Sequence, residues 1–64
     1  MKKYKVRQVI DLLYKDGWRL DRTRGDHRQF TNKNKPGTVT VNGKLRDNLS
    51  QELLNSIWKQ AGWK

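Results

Sequence analysis

The sequence contains no cysteine, a single histidine and a single proline, and it has no long apolar run. Without cysteine the chain can form neither a disulfide nor a thiolate metal site, and this composition fits a reducing compartment, so we expect a cytoplasmic protein. One histidine and scattered carboxylates do not resemble a zinc site, so we expect no metal and no cofactor. The missing apolar run argues against a transmembrane helix and a signal peptide.

Acidic residues are scarce as well: six Asp and Glu stand against 15 Lys and Arg, which gives a net charge of +9. An excess of this size costs stability through self-repulsion and attracts polyanions. It therefore predicts a polyanionic partner, namely nucleic acid, an anionic membrane or an acidic protein. The length of 64 residues predicts one domain, 1–64, near the lower limit for a chain that folds alone.

Two segments have the apolar spacing of amphipathic helices, and both end in Gly-Trp. The first is YKVRQVIDLLYKDGW, with Gly17 as its stop and Trp18 placed to fold back on Leu13. The second is SQELLNSIWKQAGW, for which Ser50 is a suitable N-cap. The apolar positions of the two helices are Val6, Val9, Ile10, Leu13, Leu53, Leu54, Ile57, Trp58 and Ala61. We expect the three tryptophans in the core and the helix caps rather than stacked on nucleobases.

Between these helices the apolar period changes to two, which predicts three β-strands. The segments are WRLDRTR, HRQFTN and TVTVN, and their inward-facing residues are Trp18, Leu20, Phe30, Val39 and Val41. Gly25-Asp26 predicts a short turn between the first two strands, and NKNKPGT predicts a longer turn punctuated by Pro36-Gly37.

The predicted fold is α+β in the order αβββα, a three-stranded antiparallel sheet with two helices packed on one face. The other face is then polar, and it carries Arg19, Asp21, Thr23, His27, Gln29, Thr38 and Thr40. If Phe30 points inward, the two-residue period turns His27 outward, unless a bulge at Gly25 shifts the register.

This order of elements resembles that of double-stranded-RNA-binding domains, and three segments resemble the HicA (YcfA-like) toxins of bacterial toxin–antitoxin systems. KVRQVIDLLYKDGWRL is similar to the opening helix of that family, RTRGDHRQF to its central Gly-Ser-His motif, and LLNSIWKQAGW to its closing helix. Together they span nearly the whole chain in the family's order. The chain departs from the family in two places. Asp26 replaces the usual serine, and VTVNGK lacks the proline and second histidine that many members carry after the third strand.

The resemblance implies an mRNA interferase, which is a metal-independent endoribonuclease with mRNA as its substrate. It also implies a HicB-type antitoxin as the protein partner, which would cover the basic site with a negatively charged surface. Operator DNA would then be bound mainly through the antitoxin of the complex.

The residues around His27 can support RNA cleavage. Histidine titrates near neutral pH and so suits a general acid or base, although a lone histidine in a basic chain is more often an ordinary surface residue. Arginine stabilises a charged phosphate through paired hydrogen bonds, and glycine lets the backbone approach it closely. The RNA-binding candidates, chosen by proximity in the sequence, are Arg24, Gly25, Arg28, Lys33 and Lys35. With one histidine, the second proton-transfer role falls to a lysine, to Asp26 or to water.

Three other functions compete with this interpretation. A non-catalytic RNA-binding module of the double-stranded-RNA-binding type would have the same fold and charge but would require nothing of His27. A helical DNA-binding module would require an all-helical chain, which the strand pattern argues against. A membrane-active basic peptide would not need the segmented pattern of strands and turns.

Overall fold

The computed structural model of the protein describes residues 3–63. It contains five elements, which are helix α1 (Val6–Lys15), strands β1 (Arg19–Arg24), β2 (His27–Asn32) and β3 (Lys35–Asn42), and helix α2 (Gln51–Gln60). The strands form one antiparallel sheet in the order β1-β2-β3. The predicted αβββα fold is confirmed, and the all-helical alternative is excluded.

The core lies between the two helices and one face of the sheet. It consists of Val6, Val9, Ile10, Leu13, Trp18, Phe30, Val39, Val41, Leu49, Leu54, Ile57 and Ala61. Burying a large apolar side chain of this kind contributes about 1.5–3 kcal/mol. Tyr4, Trp58 and Trp63 are partly buried against this cluster, so the tryptophans are core and cap residues, as the helical spacing predicts.

Both helices end in the same hydrogen-bonded cap. After α1, Gly17 has a φ of +98° and the Trp18 N–H donates to the Leu13 carbonyl at 2.9 Å. After α2, Gly62 has a φ of +75° and the Trp63 N–H donates to the Trp58 carbonyl at 2.9 Å. This six-to-one bond with a left-handed glycine is the Schellman motif, and it returns each tryptophan toward its own helix.

Strand β1 departs from the prediction, because it contributes nothing to the core. All six of its residues are exposed, and Leu20, which was predicted to face inward with Trp18, is 45% exposed. The physical reason is its place at the edge of the sheet, since the helices pack over β3 at the other edge. The apolar face of β1 is therefore left uncovered.

A β-bulge at Asp21 changes which residues of β1 share a face. Leu20 lies opposite Phe30, but the next pair is Arg22 with Gln29, so Asp21 has no partner across the sheet. The sequence suggested a possible bulge at Gly25, but the bulge occurs four residues earlier, at Asp21. It reverses the alternation after Leu20, so the prediction that Thr23 lies on the outer, polar face is wrong.

The turn between β2 and β3 is tighter than predicted. Its two turn residues are Lys33 and Asn34, and the Asn34 N–H donates to the side chain of Asn32 at 2.9 Å. Such an Asx bond supplies the turn without help from proline. Pro36-Gly37 therefore does not form the turn but lies in β3, where the pairing with β2 is irregular between Phe30 and Asn32.

Candidate functional site

His27 is the first residue of β2, the central strand of the sheet, and it directly follows the β1–β2 turn. Its Cα partners are Arg24 on β1 and Asn42 on β3. Phe30 of the same strand is fully buried against the helices, whereas the His27 side chain is exposed. Residues three apart on a strand point to opposite faces, so His27 faces away from the helices, as predicted.

His27 lines a depression on this outer face. The depression has a volume of about 250 Å³ and is lined by Arg22, Arg24, His27 and Gln29. Arg22 lies directly opposite Gln29, and Arg24 lies directly opposite His27. Directly opposed residues of an antiparallel pair share a face, with Cβ atoms about 4.5–5.5 Å apart. The site therefore combines one imidazole, two guanidinium groups and one amide.

The bulge at Asp21 produces this combination. Without it, the alternation that turns Leu20 toward the helices would turn Arg22 and Arg24 the same way. With it, both arginines join His27 on the outer face. The Asp21 carboxylate also lies 3.5 Å from the Arg22 guanidinium, but both side chains are largely exposed, so this ion pair contributes little.

The turn before His27 requires glycine at its first position. Gly25 has a φ of +59°, and within residues 3–63 no residue other than glycine has a positive φ. A two-residue hairpin with a positive φ only at its first position matches a type II′ turn, in which glycine is preferred there. The Asp26 carbonyl accepts a hydrogen bond from the Gly43 N–H at 3.1 Å, which ties this turn to the segment after β3.

Arg28 does not line the depression, although it follows His27 in the sequence. It lies opposite the buried Val41, so its side chain starts on the helix side of the sheet. There its guanidinium donates to the Gly43 carbonyl at 2.6 Å and is partly buried. The structure therefore gives Arg28 a contact that holds the segment after β3 against the sheet.

Lys33 and Lys35 lie at the opposite end of the sheet from His27. Asn32 lies five residue steps along extended strand from His27, which corresponds to about 17 Å. The Lys35 ammonium donates to the Asp16 carboxylate at 2.7 Å and to the Ala61 carbonyl at 3.2 Å. Lys33 is exposed in the turn. Proximity in the sequence therefore did not place these two lysines at the site.

Arg22 and Gln29 are the lining residues that sequence reasoning did not single out as site residues. A signal for Arg22 was present in LDRTR, because regular alternation with Leu20 inward would also point Arg22 and Arg24 at the core. Arginine is almost never buried without a partner. That conflict indicates either a bulge or an uncovered edge strand, and the structure has both.

The described part of the chain, residues 3–63, contains no cluster of three histidine, aspartate or glutamate side chains placed to hold a metal ion. None of the helices within the same residues has the length and hydropathy of a membrane-spanning segment.

The chain matches the model of a known protein family. The family described as "HicA toxin of bacterial toxin-antitoxin" matches residues 6–63, which include both helices and the whole sheet. No curated protein matches the chain at a significant level.

Proposed function

Because the chain belongs to the HicA toxin family of bacterial toxin–antitoxin systems, we propose that it is a metal-independent endoribonuclease that cleaves mRNA in the cytoplasm. The observation that supports this function best is the exposed His27 in a depression shared with Arg22 and Arg24. An imidazole beside two guanidinium groups combines a proton-transfer group with two phosphate-binding groups.

RNA carries its own nucleophile, so few groups are needed from the protein. The 2′-hydroxyl attacks the adjacent phosphorus, the bond to the 5′-oxygen breaks, and the products are a 2′,3′-cyclic phosphate and a 5′-hydroxyl. In this proposal His27 acts as general base toward the 2′-hydroxyl or as general acid toward the leaving oxygen. Arg22 and Arg24 stabilise the negative charge that develops on the phosphate oxygens.

The second proton-transfer role falls to water in this proposal. The sequence alone leaves a lysine, Asp26 and water as alternatives. The four residues that line the depression include no lysine and no carboxylate. A water molecule is a weaker proton donor or acceptor than a positioned side chain, so we expect a slow enzyme.

Of the predicted RNA contacts, Arg24 and Gly25 are the two that we propose to lie at the scissile phosphate. Arg28 contributes through the segment that it holds. Lys33 is exposed and available to RNA far from the reacting bond, whereas Lys35 is engaged by Asp16 and the end of α2.

Membership of a toxin–antitoxin family implies an antitoxin partner. In this proposal a HicB-type antitoxin covers the face around His27 with an acidic surface. The net charge of +9 favours such a partner, because an acidic surface would also relieve the self-repulsion of the toxin. Operator DNA would be bound mainly through the antitoxin of the complex.

The test is a comparison of the wild type with His27→Ala, each induced in bacteria, with growth and RNA integrity as readouts. We expect the wild type to arrest growth and degrade mRNA, and the variant to do neither. His27 is exposed and makes no core contact, so the variant should fold, which circular dichroism would check. Equal toxicity of two folded proteins would contradict the nuclease function.

A second candidate function is a non-catalytic RNA-binding module, favoured by the presence of one histidine and by Asp26 in place of the family's serine. If this function is correct, the purified wild type should bind RNA without cleaving it. The His27→Ala variant should then bind RNA with the same affinity.

A further inference from the structure

A second basic depression lies on the helix side of the molecule, between the start of α1 and the segment that joins β3 to α2. It has a volume of about 190 Å³ and is lined by Lys5, Arg7, Leu45 and Arg46. The neighbouring Lys44 is exposed as well. These five residues are called the loop patch below.

The backbone under the loop patch is held in place by hydrogen bonds. The Val6 N–H donates to the Asp47 carbonyl at 2.9 Å, and the Arg7 N–H donates to the Leu45 carbonyl at 3.1 Å. The Asp47 carboxylate accepts from the Lys44 N–H at 3.0 Å. The first N–H groups of α1 are therefore occupied, and a ligand here would be bound by the side chains.

Within residues 3–63, no cation of the loop patch takes part in an ion pair. The ion pairs found within residues 3–63 join Arg22 to Asp21 and Lys35 to Asp16, and neither involves the loop patch. Leu45 is 49% exposed among these cations and lies outside the core. An apolar side chain among cations that form no ion pair matches the mixed chemistry of a nucleic-acid strand, which presents both charged phosphates and flat bases.

The loop patch continues from the end of the sheet that carries His27. Asn42 lies directly opposite His27, and Lys44 follows two residues later, so its Cα lies within about 7.6 Å of the Cα of Asn42. Gly43, between them, is bonded to the Asp26 carbonyl through its N–H and to Arg28 through its carbonyl. The β1–β2 turn and strand β2 are thus hydrogen-bonded to Gly43, the residue that precedes Lys44 of the loop patch.

We propose that the loop patch binds the RNA strand next to the scissile phosphate, with Lys44 and Arg46 contacting its phosphates and Leu45 packing against a base or ribose. This inference rests on the proposed function and extends it, because it adds a second binding site, which starts two residues after Asn42, the Cα partner of His27. An RNA that reaches both sites binds more tightly than one that reaches only the depression.

The test measures RNA binding in a His27→Ala background, which prevents cleavage. The probe is a fluorescein-labelled oligouridine of about 12 nucleotides, followed by anisotropy over a series of salt concentrations. Replacing Lys44 and Arg46 with alanine should weaken binding about tenfold. It should also reduce the slope of log K against log salt by about 1.4, since each single-strand phosphate contact contributes about 0.7.

The matched control replaces Lys15 and Lys59 with alanine, which removes the same charge from exposed positions in the last turns of the two helices. Equal losses of affinity and slope in the two double variants would overturn the loop patch.

Cleavage by protein with His27 intact is assayed separately. If that protein cleaves RNA while the double variants are alike, the loop patch fails and the nuclease stands. If that protein does not cleave RNA, and only the variant lacking Lys44 and Arg46 loses binding, the loop patch stands and the nuclease function fails. Absence of RNA binding would overturn both.

Discussion

The unpaired Asp21 determines where positive charge lies around His27. By adding one residue to β1, it turns Arg22 and Arg24 to the outer face, where they line the same depression as the imidazole. Bulges commonly redirect side chains next to functional sites. At the scale of the residue, the site therefore depends on one extra residue in an edge strand.

Arg22→Gln and Arg24→Gln should each lower the kcat/KM for RNA cleavage by about ten- to a hundredfold. A charge-stabilising donor in a closed site contributes about 10² or more, and water around the exposed Arg22 and Arg24 reduces that figure. Steady-state cleavage of a labelled RNA measures the effect. Lys59→Gln, which removes one charge from an exposed position on α2, is the control. Arginine variants indistinguishable from it would rule out a direct role.

At the scale of the element, the two helices depend on glycine for their endings. Gly17 and Gly62 both occupy the left-handed region, which costs a residue with a Cβ about 1–2 kcal/mol. Their surroundings differ. A Cβ at Gly62 would meet nothing within 4 Å, whereas a Cβ at Gly17 would lie 3.4 Å from the Asn32 amide.

Gly62→Ala should lower the free energy of unfolding by about 1 kcal/mol, because its cost is conformational only. Gly17→Ala should cost more, because the added methyl group also crowds Asn32, whose amide donates to the Asp16 carbonyl at 3.0 Å. Urea denaturation followed by tryptophan fluorescence compares the two. An equal or smaller effect at Gly17 would show that Asn32 moves aside without cost.

At the scale of the whole molecule, one carboxylate joins both helix ends to the sheet. The Asp16 carboxylate accepts hydrogen bonds from the indole N–H groups of Trp18, at 3.0 Å, and Trp63, at 2.9 Å. Lys35, the first residue of β3, donates to the same oxygen at 2.7 Å. Because the tryptophans follow α1 and α2, this contact connects three elements that are distant in the sequence.

These contacts predict how stability depends on pH. The Lys35 hydrogen bond, followed by those of Trp63 and Trp18, holds the pKa of Asp16 below its ordinary value of 3.8. A lowered pKa means that the carboxylate stabilises the folded state at every pH above that ordinary value. The contribution is lost as the pH falls through the folded-state pKa.

Asp16→Asn should therefore lower the urea midpoint at pH 7, and the difference from wild type should shrink as the pH falls below 3.8. Urea titrations of both proteins at pH 7 and at acidic pH provide the measurement. Asp11→Asn, an exposed position on α1, is the control for charge. A difference that stayed constant with pH would show that the carboxylate's charge is not involved.

The order of the elements, most of the core and the outward orientation of His27 could be predicted from the amino-acid sequence. These features follow from neighbours in the chain: the spacing of Val6, Val9, Ile10 and Leu13, the Gly-Trp endings, and the position of Phe30 relative to His27. Local periodicity and capping depend on residues a few positions apart, so they can be predicted without knowledge of the tertiary contacts.

Which charged residues contact one another depends on how the whole chain packs. The bulge at Asp21 depends on how β1 pairs with β2, and the exposure of Leu20 depends on which strands the helices cover. Arg28 and Lys35 turned out to be engaged by Gly43 and by Asp16, 15 and 19 residues away. Pairings over such separations are set by packing of the whole chain, and no local pattern in the sequence specifies them.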